Sequence, residues 1–226
     1  MNGRHSIFVR KFPQPSFVSF LMPLRSPHFH YPLHSLQPRI PMPWFNLVNA
    51  GNFGENDLHP KAVSFAITGA DSVREAIAGA VKLYEQFPKT LVSTVIPPVK
   101  TPNAGKIGGY APTCENMDAV LNSIKTSMIE AELVDKAVLG VNMEVSAYSS
   151  TIETEEGDEE VQYQYEISKF GGEEAVKVLK NSGEMIDDYY DWLVNYPIVS
   201  LEDPFEKKDA GSIIALKEKI ESEIER

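Results

Sequence analysis

Short apolar runs bounded by turn residues alternate along most of this chain with longer segments of helical periodicity. The predicted strands are residues 44–49, 63–67, 137–143, 161–167 and 198–201. The predicted helices begin at Ser72 and Asn116, the first of them ending at Pro88, and cover residues 173–180, 184–196 and 209–226. The order is hairpin-like at first and then alternates helices with buried strands, which is typical of an α/β fold leading toward a parallel sheet or barrel. The five or six strands are fewer than the eight that close a barrel.

Residues 1–40 have a different character, because they are rich in proline, serine, histidine and phenylalanine and contain no acidic residue. Proline at this density resists regular structure, so we predict a disordered leader over 1–40 and a folded domain over 41–226. A transit signal is the alternative, since such signals are also basic and poor in acidic residues. The apolar run Phe17–Leu24 is too short to span a bilayer, and no membrane partner is expected.

The net charge of −11 is unevenly distributed along the chain. Residues 1–54 carry five basic and no acidic side chains, whereas the remainder carries 16 basic and 32 acidic ones, a charge of −16. A domain this acidic repels phosphates, which argues against a nucleic-acid partner. Cys114 is the only cysteine, so no internal disulfide can form, and a cytoplasmic setting is expected.

Six acidic side chains fall within residues 153–160, just before the predicted strand 161–167. A Ca²⁺ loop is one interpretation, but the alternating ligand spacing with a closing glutamate is missing. We favour a solvated hairpin tip, since dense like charge is normally placed in water.

The stretch Pro197–Phe205 contains a short apolar run that ends abruptly at Glu202-Asp203-Pro204. One interpretation is a buried strand with its carboxylates at the C-terminal end, where α/β sheets and barrels place their functional sites. Two hard oxygen ligands at that end would suit Mg²⁺. The other interpretation is an ordinary turn, because Asp-Pro after a strand is common loop chemistry. The residues alone leave both open.

Three motifs resemble segments of the enolase family, which dehydrates 2-phosphoglycerate in glycolysis. Phe45–Gly51 resembles the segment that opens the barrel domain of enolases, and Gly108–Pro112 resembles their Gly-Gly-Phe-Ala-Pro segment. Tyr196–Phe205 resembles their Tyr-Pro-Val-Val-Ser-Ile-Glu-Asp-Pro-Phe strand. The spacing between the motifs also matches, and the resemblance runs from about Pro41 to the C-terminus. It implies an incomplete enolase-type TIM barrel from an atypical paralogue.

The resemblance also implies which residues would carry the family's chemistry. Enolases hold Mg²⁺ with three carboxylates at strand ends, and the metal stabilises the enolate formed when a lysine takes the proton next to the substrate carboxylate. Glu202 stands at the second metal position, while Asn142 replaces the carboxylate at the first. The third metal ligand and the proton-abstracting lysine would lie beyond Arg226.

Other family positions are also substituted. Ile107 stands where the general acid is expected, Lys61-Ala62 replaces a Gln-Glu pair near the substrate, and Phe53 replaces the substrate-side histidine. We therefore expect no catalytic residue and no substrate-binding residue in this chain, and only a weakened metal position at Asn142 and Glu202.

The resulting hypothesis is an enolase-family chain that does not by itself convert 2-phosphoglycerate to phosphoenolpyruvate with Mg²⁺. The alternative role is a non-catalytic pseudoenzyme fragment that docks on a partner through an open barrel edge. A homo-oligomer, or a hetero-oligomer with enolase-like chains, is the expected form of such a partnership.

Overall fold

A computed structural model describes residues 41–95, 102–152, 161–168 and 177–223, together with the backbone of residues 6–8. Ten strands are described: β1 (Ser6–Phe8), β2 (Trp44–Asn49), β3 (Ala62–Ile67), β4 (Asn103–Ala104), β5 (Tyr110–Ala111), β6 (Ala137–Asn142), β7 (Ser149–Ile152), β8 (Gln162–Glu166), β9 (Leu179–Asn181) and β10 (Ile198–Glu202). The helices are α1 (Gly51–Gly54), α2 (Val73–Thr94), α3 (Met117–Glu130), α4 (Ser182–Asn195) and α5 (Ala210–Glu223), with a 3₁₀ turn over Val145–Ala147.

The main sheet is mixed, with the strand order β1-β10-β6-β3-β2-β5-β4. Strands β6 and β10 are parallel, whereas β3 runs antiparallel to both β2 and β6. The antiparallel pair of β2 and β3 agrees with the hairpin-like start of the chain, and β6 and β10 are parallel, as the later alternation of helices and strands predicts. The antiparallel pairing of β3 with β6 makes the sheet mixed, which the alternation alone does not predict. The described strands form an open sheet rather than a closed barrel, as the incomplete-barrel prediction requires.

Helix α2 begins as predicted, since the Ser72 hydroxyl accepts a hydrogen bond from the Glu75 amide. It continues past Pro88 to Thr94, which corrects the predicted end. The C-terminal turns are held by tertiary contacts: Leu91 is fully buried, and Thr94 shares a hydrogen bond of 2.8 Å with Ser123 on α3. Packing against α3 thus outweighs the local penalty of an internal proline.

The apolar side chains of α2 that the sequence predicts to face inward are Ala76, Ile77, Ala80, Val81, Tyr84 and Phe87, and the buried face differs from this predicted stripe. Ile77 and Val81, expected to face inward, are 47% and 49% exposed, while Leu83 and Phe87 lie in the core. Ala76 and Ala80, which were also predicted to face inward, are buried.

The predicted helix over residues 173–180 is wrong at its end, because Leu179–Asn181 forms β9 against β8. Asn181 makes a capping box with Glu184 at the start of α4, and the residues that lead into such a cap are extended. The hairpin of β7 and β8 is present, whereas its acidic tip over residues 153–160 lies outside the described residues.

Within the predicted leader, Ser6–Phe8 forms a strand that pairs with β10. The other residues of 1–40 lie outside the described residues, so their disorder stays a prediction. Among the described residues, no helix is both long and apolar enough to cross a bilayer.

His59 lies between two aromatic rings at the side of the sheet. Its imidazole stacks on Trp192 with ring centroids 5.9 Å apart and meets the edge of Tyr148 at 6.0 Å. Burial among these rings, with a smaller contribution from the positive charge of Lys180, lowers the pKa of His59 to about 4. The folded protein therefore holds this histidine neutral across the physiological pH range.

This pKa predicts an acid-sensitive stability. The unfolded chain protonates His59 near pH 6.5, whereas the folded chain does so only near pH 4, so protons favour unfolding between these values. The free energy of unfolding should be unaffected by His59 above pH 6.5 and fall by up to about 3 kcal/mol as the pH drops to 4. Urea unfolding at several pH values measures this change in the free energy of unfolding.

The matched control is His59→Phe, which keeps an aromatic ring against Trp192 but cannot take up a proton. Its unfolding free energy should vary less between pH 6.5 and pH 4 than that of the unmodified chain. If the unfolding free energies of the two proteins depended equally on pH, His59 would not be the source of the acid sensitivity.

Candidate functional site

The parallel pairing of β6 and β10 brings two predicted residues together at the strand ends. Glu202, the last residue of β10, is in register with Asn142, the last residue of β6. The Asn142 Nδ2 group donates a hydrogen bond of 2.9 Å to Glu202 Oε2. On the other side of β6, Ala62 of β3 is paired with Asn142. The two predicted metal positions, Asn142 and Glu202, are therefore neighbours, and Ala62 lies beside Asn142.

Sharp turns follow both strand ends. Asp203 follows Glu202 with φ of 50°, and Glu144 lies two residues after Asn142 with φ of 48°. The left-handed region is costly for residues with a Cβ atom, so the surrounding contacts must hold these turns. One such contact is the hydrogen bond from the Met143 amide to the Glu202 carbonyl, at 2.8 Å. The strand ends are thereby fixed relative to each other by backbone as well as side-chain bonds.

An ion pair lies next to this pair of residues. The Lys61 ammonium group is 2.8 Å from Glu144 Oε1 and 4.7 Å from the centre of the Phe53 ring. Both charged side chains are largely shielded, with 22% of Lys61 and 35% of Glu144 exposed. Lys61 also donates its backbone N–H to the Asn142 carbonyl at 2.9 Å. These contacts place the positive charge of Lys61 beside the end of β6, where the Glu144 carboxylate neutralises it.

The glycine-containing loop after β4 is held by two asparagine side chains, of which Asn49 is buried. Asn49 is fully buried, and its Oδ1 accepts hydrogen bonds from the amides of Gly109 at 3.1 Å and Ile107 at 3.3 Å. Any side chain on Gly105 would collide with Asn49, so this position requires glycine. The Asn46 amide donates to the Ile107 carbonyl at 3.0 Å. This loop is therefore tied to β2 by hydrogen bonds.

A second buried asparagine organises the turn after β2. Asn56 accepts a hydrogen bond from the Gly51 amide at 2.9 Å and donates to the carbonyls of Asn49 and Pro112 at 3.1 and 2.9 Å. Sequence reasoning missed the roles of Asn49, Asn56 and His59. Because the asparagines lie among glycines, their sequence pattern is that of ordinary turn residues. Only the tertiary structure shows that they are buried.

The chemistry available at these strand ends is limited. Within the described ranges, no group of three or more histidine, cysteine, aspartate or glutamate side chains is arranged to hold a metal ion. The Ile107 side chain is 46% exposed and carries no proton that it could transfer. Burial raises the pKa of the Cys114 thiol to about 11, so this cysteine is protonated and unreactive at neutral pH.

Comparison with known proteins agrees with this architecture. The family described as "Enolase, C-terminal TIM barrel domain" matches residues 37–225. "Enolase 2" of Hevea brasiliensis is 29% identical over 171 residues, which cover 75% of this chain and 36% of that protein. "Enolase" of Mastigamoeba balamuthi is 27% identical over 190 residues, which cover 83% of this chain and 41% of that protein.

The chain thus spans about two fifths of the length of these two relatives. The family match covers most of the chain, including both strand ends that carry Asn142 and Glu202. The resemblance inferred from the three sequence motifs is confirmed, and the chain belongs to the enolase family as a divergent form of its C-terminal TIM barrel domain.

Proposed function

We propose that this chain is a non-catalytic member of the enolase family that does not by itself dehydrate 2-phosphoglycerate. The observation that carries the proposal is the 2.9 Å hydrogen bond from Asn142 Nδ2 to Glu202 Oε2. By resemblance, enolases have carboxylates at both positions, and these face a Mg²⁺ ion. Here an amide N–H is directed at the remaining carboxylate, so that no cation is needed between the two side chains.

The residues present do not fit a Mg²⁺ centre of the family's kind. A cation between Asn142 and Glu202 needs oxygen lone pairs from both side chains. To offer Oδ1, the Asn142 amide must rotate and give up a hydrogen bond to a charged group, which costs about 1.5–3 kcal/mol. The loss of one carboxylate also weakens the attraction for a divalent ion. If an ion binds here, its ligands are Glu202 and Asn142 Oδ1, but we propose that its affinity is low.

The neighbouring substitutions support the same proposal. Ile107 stands where the family resemblance places the general acid, and a hydrocarbon side chain cannot protonate a leaving hydroxide. Ala62, beside Asn142, likewise offers no carboxylate. Lys61 carries a charge, but its ammonium group is paired with Glu144. All of these residues are within the described part of the chain, so the proposal does not depend on segments outside it.

The first test is an activity measurement on the purified full chain. With 2-phosphoglycerate and excess Mg²⁺, the ultraviolet absorbance of phosphoenolpyruvate should not rise above the rate without protein. A catalytically competent enolase under the same conditions is the positive control. Turnover that disappears in Glu202→Gln would overturn the proposal, since it would show that the strand-end carboxylate still serves the reaction.

A second test restores the missing carboxylate with Asn142→Asp. Without Mg²⁺, this variant should be less stable by about 1–3 kcal/mol, because a hydrogen bond to Glu202 is replaced by repulsion between two carboxylates. Millimolar Mg²⁺ should then raise its unfolding temperature while leaving that of the unmodified chain unchanged. Thermal unfolding followed by circular dichroism measures both effects.

The matched control for this test is the double variant Asn142→Asp with Glu202→Gln, which again has one carboxylate and one amide. Its unfolding temperature should not respond to Mg²⁺. If the unmodified chain itself is stabilised by Mg²⁺, and Glu202→Gln abolishes that response, then the strand ends bind the ion and the low-affinity proposal fails.

A further inference from the structure

Strand β10 has a neighbouring strand on each of its sides. On one side it pairs in parallel with β6, and on the other side β1, from the N-terminal part of the chain, pairs with it in the antiparallel direction. The three residues of β1 lie opposite the last three residues of β10, with Ser6 in register with Glu202 and Phe8 in register with Ser200. The end of β10 that carries Glu202 therefore lies between two strands.

The register shows which backbone groups β1 and β10 share. The Glu202 carbonyl accepts a hydrogen bond from the Met143 amide, so the polar backbone groups of Glu202 face β6. Successive residues of a strand direct these groups to opposite sides, and Leu201 therefore directs its N–H and C=O toward β1. Because Ile7 is directly opposite Leu201, these two residues exchange both hydrogen bonds, whereas the N–H of Ser6 faces away from β10.

The side of β10 that β1 covers is the side on which a closed barrel would continue. Every strand of a closed barrel has two neighbours, so a further barrel strand after β10 would pair with this side. Left uncovered, the side would present unpaired N–H and C=O groups of an apolar strand that contains Ile198, Val199 and Leu201. Residues 1–54 carry a charge of +5 against −16 for the rest, so electrostatic attraction favours the pairing of the N-terminal strand with the acidic domain.

We infer that Ser6–Phe8 is a built-in strap, which closes this side of β10 and clamps the strand end that carries Glu202 against β6. The Met143 amide donates to the Glu202 carbonyl at 2.8 Å, so a loosened end of β10 would also lose this bond to the chain after β6. A partner that docked on β10 as a further strand would need the place that β1 holds. The strap is independent of whether the chain is catalytic, and therefore of the proposed function.

Two proline variants of the full-length chain, one residue apart, test the strap. Ile7→Pro removes the N–H that donates to the Leu201 carbonyl and puts a ring carbon in its place, so the pairing should open. Ser6→Pro is the matched control, because the Ser6 N–H faces away from β10 and proline is tolerated at the first residue of an edge strand. Circular dichroism checks that each variant remains folded.

Hydrogen exchange followed by nuclear magnetic resonance is the measurement. The amides of Leu201 and Met143 should exchange slowly in the unmodified chain and in Ser6→Pro. In Ile7→Pro both amides should exchange at least about tenfold faster, because the strap no longer covers Leu201 or holds the strand end that Met143 contacts.

Three results would overturn the inference. The first is a Leu201 amide that exchanges in the unmodified chain as fast as in an unfolded peptide, and this result does not depend on whether Ile7→Pro folds. The second is an equal exchange rate of Leu201 in the two proline variants, since the register would then be wrong. The third is an unchanged exchange rate of Met143 in Ile7→Pro, since β1 would then not hold the end of β10.

Discussion

The parallel register between β6 and β10 is the constraint on which the rest of the candidate site depends. It sets Leu201 beside Val141, both almost fully buried, and it carries the last residues of the two strands to the same point. A shift of one residue would turn the apolar side chains of either strand away from the core and separate Asn142 from Glu202. The side-chain hydrogen bond is therefore a consequence of core packing.

Elements with strong local signals were predicted well from the sequence. The strand at residues 44–49 and the helix starts at Ser72 and Asn116 were correct, because apolar runs and caps act over a few residues. The continuation of α2 beyond Pro88 was not predictable in this way, since contacts with α3 hold those turns. The antiparallel orientation of β3 relative to β2 agrees with the hairpin-like start of the chain, because only a short segment through α1 connects the two strands.

Within the candidate site, Asn142 was predictable only through the family resemblance, whereas the strand-end pattern of Pro197–Phe205 already indicated Glu202. The motif around Glu202 and the position of Asn142 were identified from residues, and the structure brings the two together. The sequence could not show that the Asn142 amide would donate to the carboxylate, because that orientation depends on the packing of both strands. The burial of Asn49 and the position of His59 between two aromatic rings are likewise tertiary properties, so neither residue was distinguished from its exposed equivalents.

The short strand β4 has a consequence for how large any assembly of this chain can become. Growth of a sheet from chain to chain into a filament requires two usable edges on every copy. Here the edge strands of the main sheet are β1, with three residues, and β4, with two. Among the described strands of this sheet, neither edge is long enough to be a good template for a further strand, so growth of the main sheet from chain to chain is disfavoured.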